Sequence, residues 1–453
     1  MALTSHIIKV FEKVVRQHIV NYIEERNLLN PNQHGFRSGR SCLSQLVQHY
    51  DKIIKLMEEG KNVDVVYLDY AKAFDKLDFG ITLQKLHQLG ISGRVHAWIK
   101  AFLSERHQVV HVRGSKSAME PVVSGVPQGS VIGPLLFLVL LGDIDEKVKT
   151  AAVSSFADDT RVMGQVRNID DTRDLQLDLD AIYDWSTANN TQLNAEKFEC
   201  VRYGYNKEIK ESTSYKASDG ADIQAKDTVK DLGILVCSDG TFGEQIGNVV
   251  LSANLKCAWI LRTFRTREKK LMLTLWKSLI LPVLDYCCQL WSPTAVGQIN
   301  ALEKVQMSFL KKITGVTGTY WQQLAAVNIY SLQRRRERYI VIYIWKVVEG
   351  LVPNFGISVL NNSRHGRYCV VPHIKTTAPV RIQNLRFASL SVNGPRLFNA
   401  MPNCVRNMTN CSIDVFKNAL DKYIRAVPDE PRVAGLVPFC SESSNSLLLM
   451  KKL

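Results

Sequence analysis

Apolar positions along the chain first fall at helical spacing. Ile8, Phe11, Val15, Ile19, Tyr22 and Ile23 make one stripe within residues 3–29, with Thr4 or Ser5 as cap and Asn30-Pro31 as stop. A polar, basic loop follows, QHGFRSGRS (Gln33–Ser41). Ser41 caps a second helix whose buried face is Leu43, Leu46, Val47, Tyr50, Ile54 and Met57, and Gly60 closes it. Val63–Tyr70 (VDVVYLDY) reads as a strand apolar enough to be buried. AKAFDKLDF then leads into a helix through Leu83, Leu86 and Leu89, and another helix covers about 93–104. Gln108–Val112 reads as a strand, and SGVPQGSVIGPLLF (Ser124–Phe137) as a Gly/Pro-rich loop opening an apolar helix.

Val153–Gly164 (VSSFADDTRVMG) predicts a hairpin: Val153, Phe156, Val162 and Met163 pack the two strands, and Ala157–Thr160 takes the turn. A helix across 172–188 and strands near 198–203 and 228–236 follow. From about 240 the pattern is helical and more basic, with Arg262, Arg265, Arg267, Lys269 and Lys270 in one stretch and QRRRER (Gln333–Arg338) in another. Charge alone reads such runs as solvated helix faces. The segment from about 350 is rich in Pro and Asn with weak periodicity, and its last dozen residues read as a disordered tail.

Composition narrows the class. At 453 residues the chain can hold two or three domains, and 46% hydrophobic with 22% charged residues is ordinary for a globular protein. The net charge of +14, spread over the whole length, favours a polyanionic partner, nucleic acid first. Ten scattered cysteines lack a disulfide framework and read as reduced thiols. His365, Cys369 and His373 suggest zinc only weakly, because a fourth ligand at a usual spacing is missing. The longest apolar run, Val131–Leu141, is too short to span a bilayer, and the amino terminus does not read as a signal peptide. The expectation is a soluble intracellular protein without membrane partners.

The chemistry centres on carboxylates. Asp158 and Asp159 are adjacent like charges at a hairpin end, a costly arrangement unless a cation offsets it. Asp69 closes an apolar strand and needs a partner of its own. If the strands lie side by side, the three carboxylates make an oxygen-rich site for two Mg²⁺ ions, which activates a hydroxyl and stabilises a leaving pyrophosphate.

At this point the ordered motifs LDYAKAFDKLDF, GVPQGSVIGPLLF, FADDT, LNAEKFECV and VKDLGILV resemble the palm of reverse transcriptases from non-LTR (LINE-type, jockey-like) retrotransposons. QHGFRSGRS is similar to that family's fingers, and LEKVQMSFLKKITG and LSVNGPRLFNAMP to its thumb and carboxy-terminal extension. The resemblance covers roughly residues 2–425. It implies an α+β right-hand polymerase: partial fingers and an antiparallel-sheet palm over 1–238, a helical thumb or connection over 239–348, and a carboxy-terminal extension with a disordered tail over 349–453. It also implies RNA-directed DNA polymerisation from an RNA template and dNTPs onto a DNA primer or target. Two Mg²⁺ ions are implied, with Mn²⁺ an alternative, and residence in nucleus and cytoplasm.

Carried over by position, Asp69 and Asp158 become metal ligands with the Tyr70 carbonyl, and Asp159 a third, weaker carboxylate. Phe74 becomes the aromatic gate that excludes a 2′-hydroxyl, with core packing as the alternative. Gln128 and Gly129 would lie against nucleotide and template, Lys197 would donate a proton to pyrophosphate, and Arg37 and Arg40 would face template or triphosphate. Leu232-Gly233 resembles the primer-grip turn, and Asp75 is expected to be structural. The family's ALTS stretch normally follows an Arg-Pro pair on a fingers strand, so a chain starting at Met1-Ala2 is expected to be truncated at the amino terminus. The alternative function is a catalytically inactive nucleic-acid-binding remnant. An RNA-dependent RNA polymerase shares the acidic hairpin, but Phe74 and GVPQGS argue against it.

Overall fold

The computed structural model describes residues 5–362, 366–431 and 445–448. The chain divides into two compact units, residues 1–45 with 61–227, and residues 46–60 with 228–453. The boundary expected at 238 therefore falls inside the second unit, and residues from 349 onward belong to that same unit.

In the first unit, α1 (His6–Glu25) buries Ile19 and Ile23 of the predicted stripe, while Ile8 and Phe11 at its amino-terminal end are exposed. Helix α2 (Cys42–Glu58) starts behind Ser41, whose hydroxyl accepts from the Ser44 N–H at 3.2 Å, and the chain enters the second unit along this helix. Strand β1 (Asn62–Leu68) leads to α3 (Phe79–Gln88), capped by Asp78, and to α4 (Gly93–Leu103). The strand expected over Gln108–Val112 is not formed as one piece. Its residues are exposed and give two-residue strands, β2 (His107–Gln108) and β3 (His111–Val112), which pair with β5 (Glu120–Pro121) and β4 (Ser115–Lys116). Without a buried face the alternation there has nothing to pack against.

Helix α5 (Gly133–Leu140) is buried apart from Pro134 in its first turn. Then come β6 (Ala152–Phe156), β7 (Asp159–Val166), α6 (Ile169–Ala188), β8 (Glu199–Tyr203), the short α7 (Lys207–Ser212), β9 (Tyr215–Lys216) and β10 (Asp222–Ala225). The sheet order is β6-β7-β1-β8-β10-β9. All neighbours are antiparallel except β8 and β10, which run parallel, a departure from the purely antiparallel expectation. The architecture is α+β, as the family resemblance implies.

One face of β1 carries Val66 and Leu68 into a core with α3, α4, α5 and α6. Asp64 on this strand is buried, and it pairs with Arg202 of β8 at 2.8 Å while accepting from the Tyr215 hydroxyl at 2.7 Å. Gly164 on β7 lies so close to α6 that a Cβ would meet Leu175 at 2.9 Å.

In the second unit, the stretch expected as one strand over 228–236 is a hairpin, β11 (Thr228–Asp231) and β12 (Ile234–Cys237), turning at Leu232-Gly233 with both residues at positive φ. The turn chemistry of Gly after Leu explains the break. Helix α8 (Gly243–Thr263) and the helices Val296–Leu310 and Leu332–Val348 build the body. The segment past 350 is more regular than its composition suggests. It holds a hairpin, Val359–Asn362 with Gly366–Cys369, and helices including Leu390–Ala400 and Ile413–Ala426, whose Phe416 stacks on Trp345 at 4.3 Å. Most of the expected disordered tail and His365 lie outside the described residues, while Cys369 is buried. None of the described cysteines is in a disulfide.

The basic run QRRRER is not a solvated face. Arg334 and Arg336 are buried, Arg334 donates to the carbonyls of Pro428 and Asn445 at 3.0 Å, and Arg335 forks onto Asp285 at 2.7–2.9 Å. Arg338 pairs with Asp421 at 2.7 Å. Glu303 accepts from Tyr320, Leu332 and Gln333, and burial pushes its carboxyl up against the opposing pull of Arg336. Arg336→Met is expected to destabilise the second unit by about 3 kcal/mol, because Glu303 is left without its cation. Affinity for a heparin column should not change, since a buried guanidinium neutralises no external anion. Thermal melting and salt elution of the variant check the two halves of that expectation.

Candidate active site

The β1–β7 register runs from Asn62 opposite Val166 to Leu68 opposite Thr160. Asp69 and Tyr70 follow directly on this pairing, and there the chain bridges to Leu193 on its other side. Phe156 pairs with Asp159, so the hairpin turn is only Ala157-Asp158, and Asp159 and Thr160 already belong to β7. Ala157 holds φ at 56°, a left-handed position that glycine usually fills in tight hairpins.

The Asp69 carboxylate meets Lys197 Nζ at 3.0 Å, and its carbonyl accepts from the Asn194 N–H at 2.8 Å. Lys197, exposed at the end of a short 3₁₀ turn (Ala195–Lys197) that leads into β8, is thus brought to Asp69 from more than a hundred residues further along the chain. The Tyr70 ring is buried, and burial holds its phenol well above the ordinary range, with the Asp158 charge adding to the shift. Among the described residues no three His, Cys, Asp or Glu side chains are arranged as a metal-binding group. The expected three-carboxylate cluster is therefore not assembled here: Asp69 is engaged by an ammonium, and Asp159 stands exposed on the first position of β7. The donor chemistry still suits a hard cation, because carboxylates and a backbone carbonyl are oxygen ligands, and the ammonium shows that Asp69 is placed to face positive charge.

The loop after β1 and the GVPQGS loop are tied together. Val126 N–H donates to the Phe74 carbonyl at 3.0 Å and Gly125 N–H to the Leu77 carbonyl at 2.8 Å. Gly125 has φ of 78°, and a Cβ there would sit 2.5 Å from the Asp75 carbonyl oxygen, so glycine is required twice over. Asp75 accepts from the Gln128 side chain at 3.2 Å and, through its carbonyl, from Ser124 at 2.9 Å. Gln128 and Gly129 are exposed, with Gly129 at φ of 90° and open space where its Cβ would be. Phe74 is half-buried, with its ring 4.6 Å from Phe137 of α5 and 6.0 Å from the exposed Phe36. One side of Phe74 packs on the core and the other borders Phe36.

Arg37 and Arg40 do not present free charge. Arg37, half-buried, makes a bidentate pair with Glu24 at 2.6–2.9 Å and donates to the Asn30 carbonyl at 2.7 Å. Arg40 donates to the carbonyls of Pro31 and Gln33, and burial beside Arg37 pulls its pKa down to about 10. These arginines brace their own loop.

Sequence reading missed the residues that set α5. The local cap of this all-apolar helix is Ser130, whose hydroxyl accepts from the Gly133 N–H at 3.1 Å. Buried Glu12 of α1 accepts from the N–H groups of Val131 and Ile132, the latter at 3.0 Å, at its amino end. Lys85 of α3 donates to the Leu140 carbonyl and to Asp143 at 2.6 Å at its carboxyl end. The charges complement the helix dipole at both ends. Glu12 fell on a polar position of an otherwise apolar stripe, which was the one available signal. Gln33 was missed as well, inside a loop that carries no periodicity.

The family profile described as "Reverse transcriptase (RNA-dependent DNA polymerase)" matches residues 1–236. The chain belongs to the reverse transcriptase family. Within it, the chain is 28% identical over 320 residues to the RNA-directed DNA polymerase from mobile element jockey of Drosophila melanogaster, covering 68% of this chain and 34% of that protein. It is 25% identical over 323 residues to the probable RNA-directed DNA polymerase from transposon X-element of the same fly, covering 70% and 35%. It is similar also to the one from transposon BS, 23% over 360 residues, covering 76% and 39%. The chain thus spans a little over a third of the length of these relatives. Among solved structures, apo telomerase from Candida tropicalis aligns over 75% of this chain and 53% of its own, with 10% identity and a TM-score of 0.42. No helix among the described residues is long and apolar enough to cross a membrane.

Glu12→Ala should leave two buried helix-end N–H groups unpaired and cost about 2–4 kcal/mol. Glu12→Gln, which keeps an acceptor, should cost less. Chemical denaturation of both variants checks the order.

Proposed function

We propose that this chain is the polymerase portion of a non-LTR retrotransposon reverse transcriptase, extending a DNA primer with dNTPs along an RNA template. The observation that carries this reading is the strand register that brings the end of β1 level with the acidic turn. Asp69, Asp158 and the Tyr70 carbonyl would hold two Mg²⁺ ions, or Mn²⁺, with Asp159 a weaker third carboxylate. Bound there, the ions would supply Lewis-acid stabilisation of the attacking and leaving oxygens.

Around that centre the chain's own residues have distinct work. Lys197, which pairs with Asp69 at 3.0 Å, would deliver a proton to the leaving pyrophosphate. Phe74, fixed from behind by Phe137, would meet a 2′-hydroxyl and so favour deoxynucleotides. Gln128, held by Asp75, and Gly129, open above its backbone, would border the nucleotide and template. The second unit would serve as thumb or connection and carboxy-terminal extension, with Leu232-Gly233 as the primer-grip turn, and action in nucleus and cytoplasm would follow from the same family reading.

Primer extension on an RNA template with Mg²⁺ and dNTPs is the test. Asp158→Ala/Asp159→Ala should lose at least about a hundredfold in rate; an unvaried chain that binds primer–template but never extends it would make the chain a binding remnant. Phe74→Ala should raise ribonucleotide incorporation relative to deoxynucleotide by about tenfold or more, a shift in ratio that lost core packing alone does not produce.

A further inference from the structure

The acidic turn is held from outside by one side chain. Gln33 is buried, and its Oε1 accepts from the Ala157 N–H at 3.0 Å and the Gly35 N–H at 2.8 Å. Its Nε2 donates to the Ala157 carbonyl at 3.3 Å. One amide therefore grips both peptide groups that flank Ala157, the residue at φ of 56°. The backbone on either side joins the grip. His34 N–H donates to the Ser155 carbonyl at 2.9 Å, and Ser155 N–H to the Asn32 carbonyl at 3.2 Å. Gly35 is pressed against the same residue, since a Cβ there would stand 2.3 Å from the Ala157 nitrogen.

A left-handed alanine is strained by about 1–2 kcal/mol and persists only where its surroundings dictate it. Its φ and ψ set the direction in which the chain presents Asp158. An amide is the side chain that can accept at one end and donate at the other in a fixed plane. A carboxylate loses the donor, and an apolar isostere loses both.

We propose that Gln33, backed by Gly35, is a positioning residue that sets the acidic turn and thereby the affinity of Asp158 for a divalent cation. The inference rests on the polymerase reading for its catalytic consequence but not for its cation-binding one. Partners of this kind, one step removed from the ligands, commonly change metal affinity or activity by about 10–100-fold.

The test uses the full chain and Mn²⁺, followed by the resonance signal of the free ion, beside primer extension. Gln33→Met is expected to weaken Mn²⁺ binding about tenfold and to lower kcat by about 10–100-fold, with KM for dNTP and primer–template affinity within about twofold. Gly35→Ala should move both readings the same way. Gln33→Glu, which keeps the acceptor, should fall between wild type and Gln33→Met and remains decisive if the Met variant does not fold. Wild-type Mn²⁺ affinity and kcat in both Gln33 variants would overturn the proposal, as would an unvaried chain that binds no Mn²⁺. A chain that binds Mn²⁺ yet extends no primer sinks the polymerase reading instead, and the Mn²⁺ comparison still decides the role of Gln33.

Discussion

The antiparallel register of β1 on β7 is the constraint on which the rest of the first unit depends. A slip by one residue would turn Val66 and Leu68 out of the core and carry Asp69 away from the acidic turn together. Several contacts guard against it. The buried Asp64–Arg202 pair, with Tyr215, pins β1 to β8 at one position, and Gly164 admits Leu175 at one position of β7. The same buried pair that weighs on stability through desolvation therefore specifies alignment, the use for which buried charge is best suited.

Around this sheet, single polar residues from distant segments decide where the loops lie. Glu12 and Lys85 close the two ends of α5, Asp75 orients Gln128, and Gln33 grips Ala157. Each bridges elements far apart in sequence; Glu12, Lys85 and Gln33 are buried, where an unpaired group is costly, while the Asp75–Gln128 bond is exposed. The site is thus shaped less by its own hairpin than by neighbours that satisfy its backbone.

Elements with a buried periodic face were legible from sequence. The α1 stripe, the Ser41 cap, β1, α4 and the acidic hairpin all follow from local pattern, and the motif order is enough to recognise the family. Positions that depend on a remote partner were not. Arg37 reads as a free cation until Glu24 is seen beside it, and Gln33 reads as one more polar loop residue until Ala157 is. Thr228–Val236 looked like one strand because a Leu-Gly turn barely interrupts an apolar run. The helices past 380 were hidden because short helices packed by Phe398 and Phe416 need few apolar positions to be stable in context.

The inward-facing run Gln333–Arg338 changes the meaning of the chain's net charge. Cations already matched by Asp285, Asp421 and backbone carbonyls hold no condensed counterion shell to exchange with a polyanion. What remains outward in that part of the chain is a smaller set, with Arg262, Arg265, Lys269 and Lys270 exposed near the end of α8. The net charge of +14 already counts the carboxylates that match these arginines, so the pairs add nothing to it and the field available to a polyanion comes from cations elsewhere.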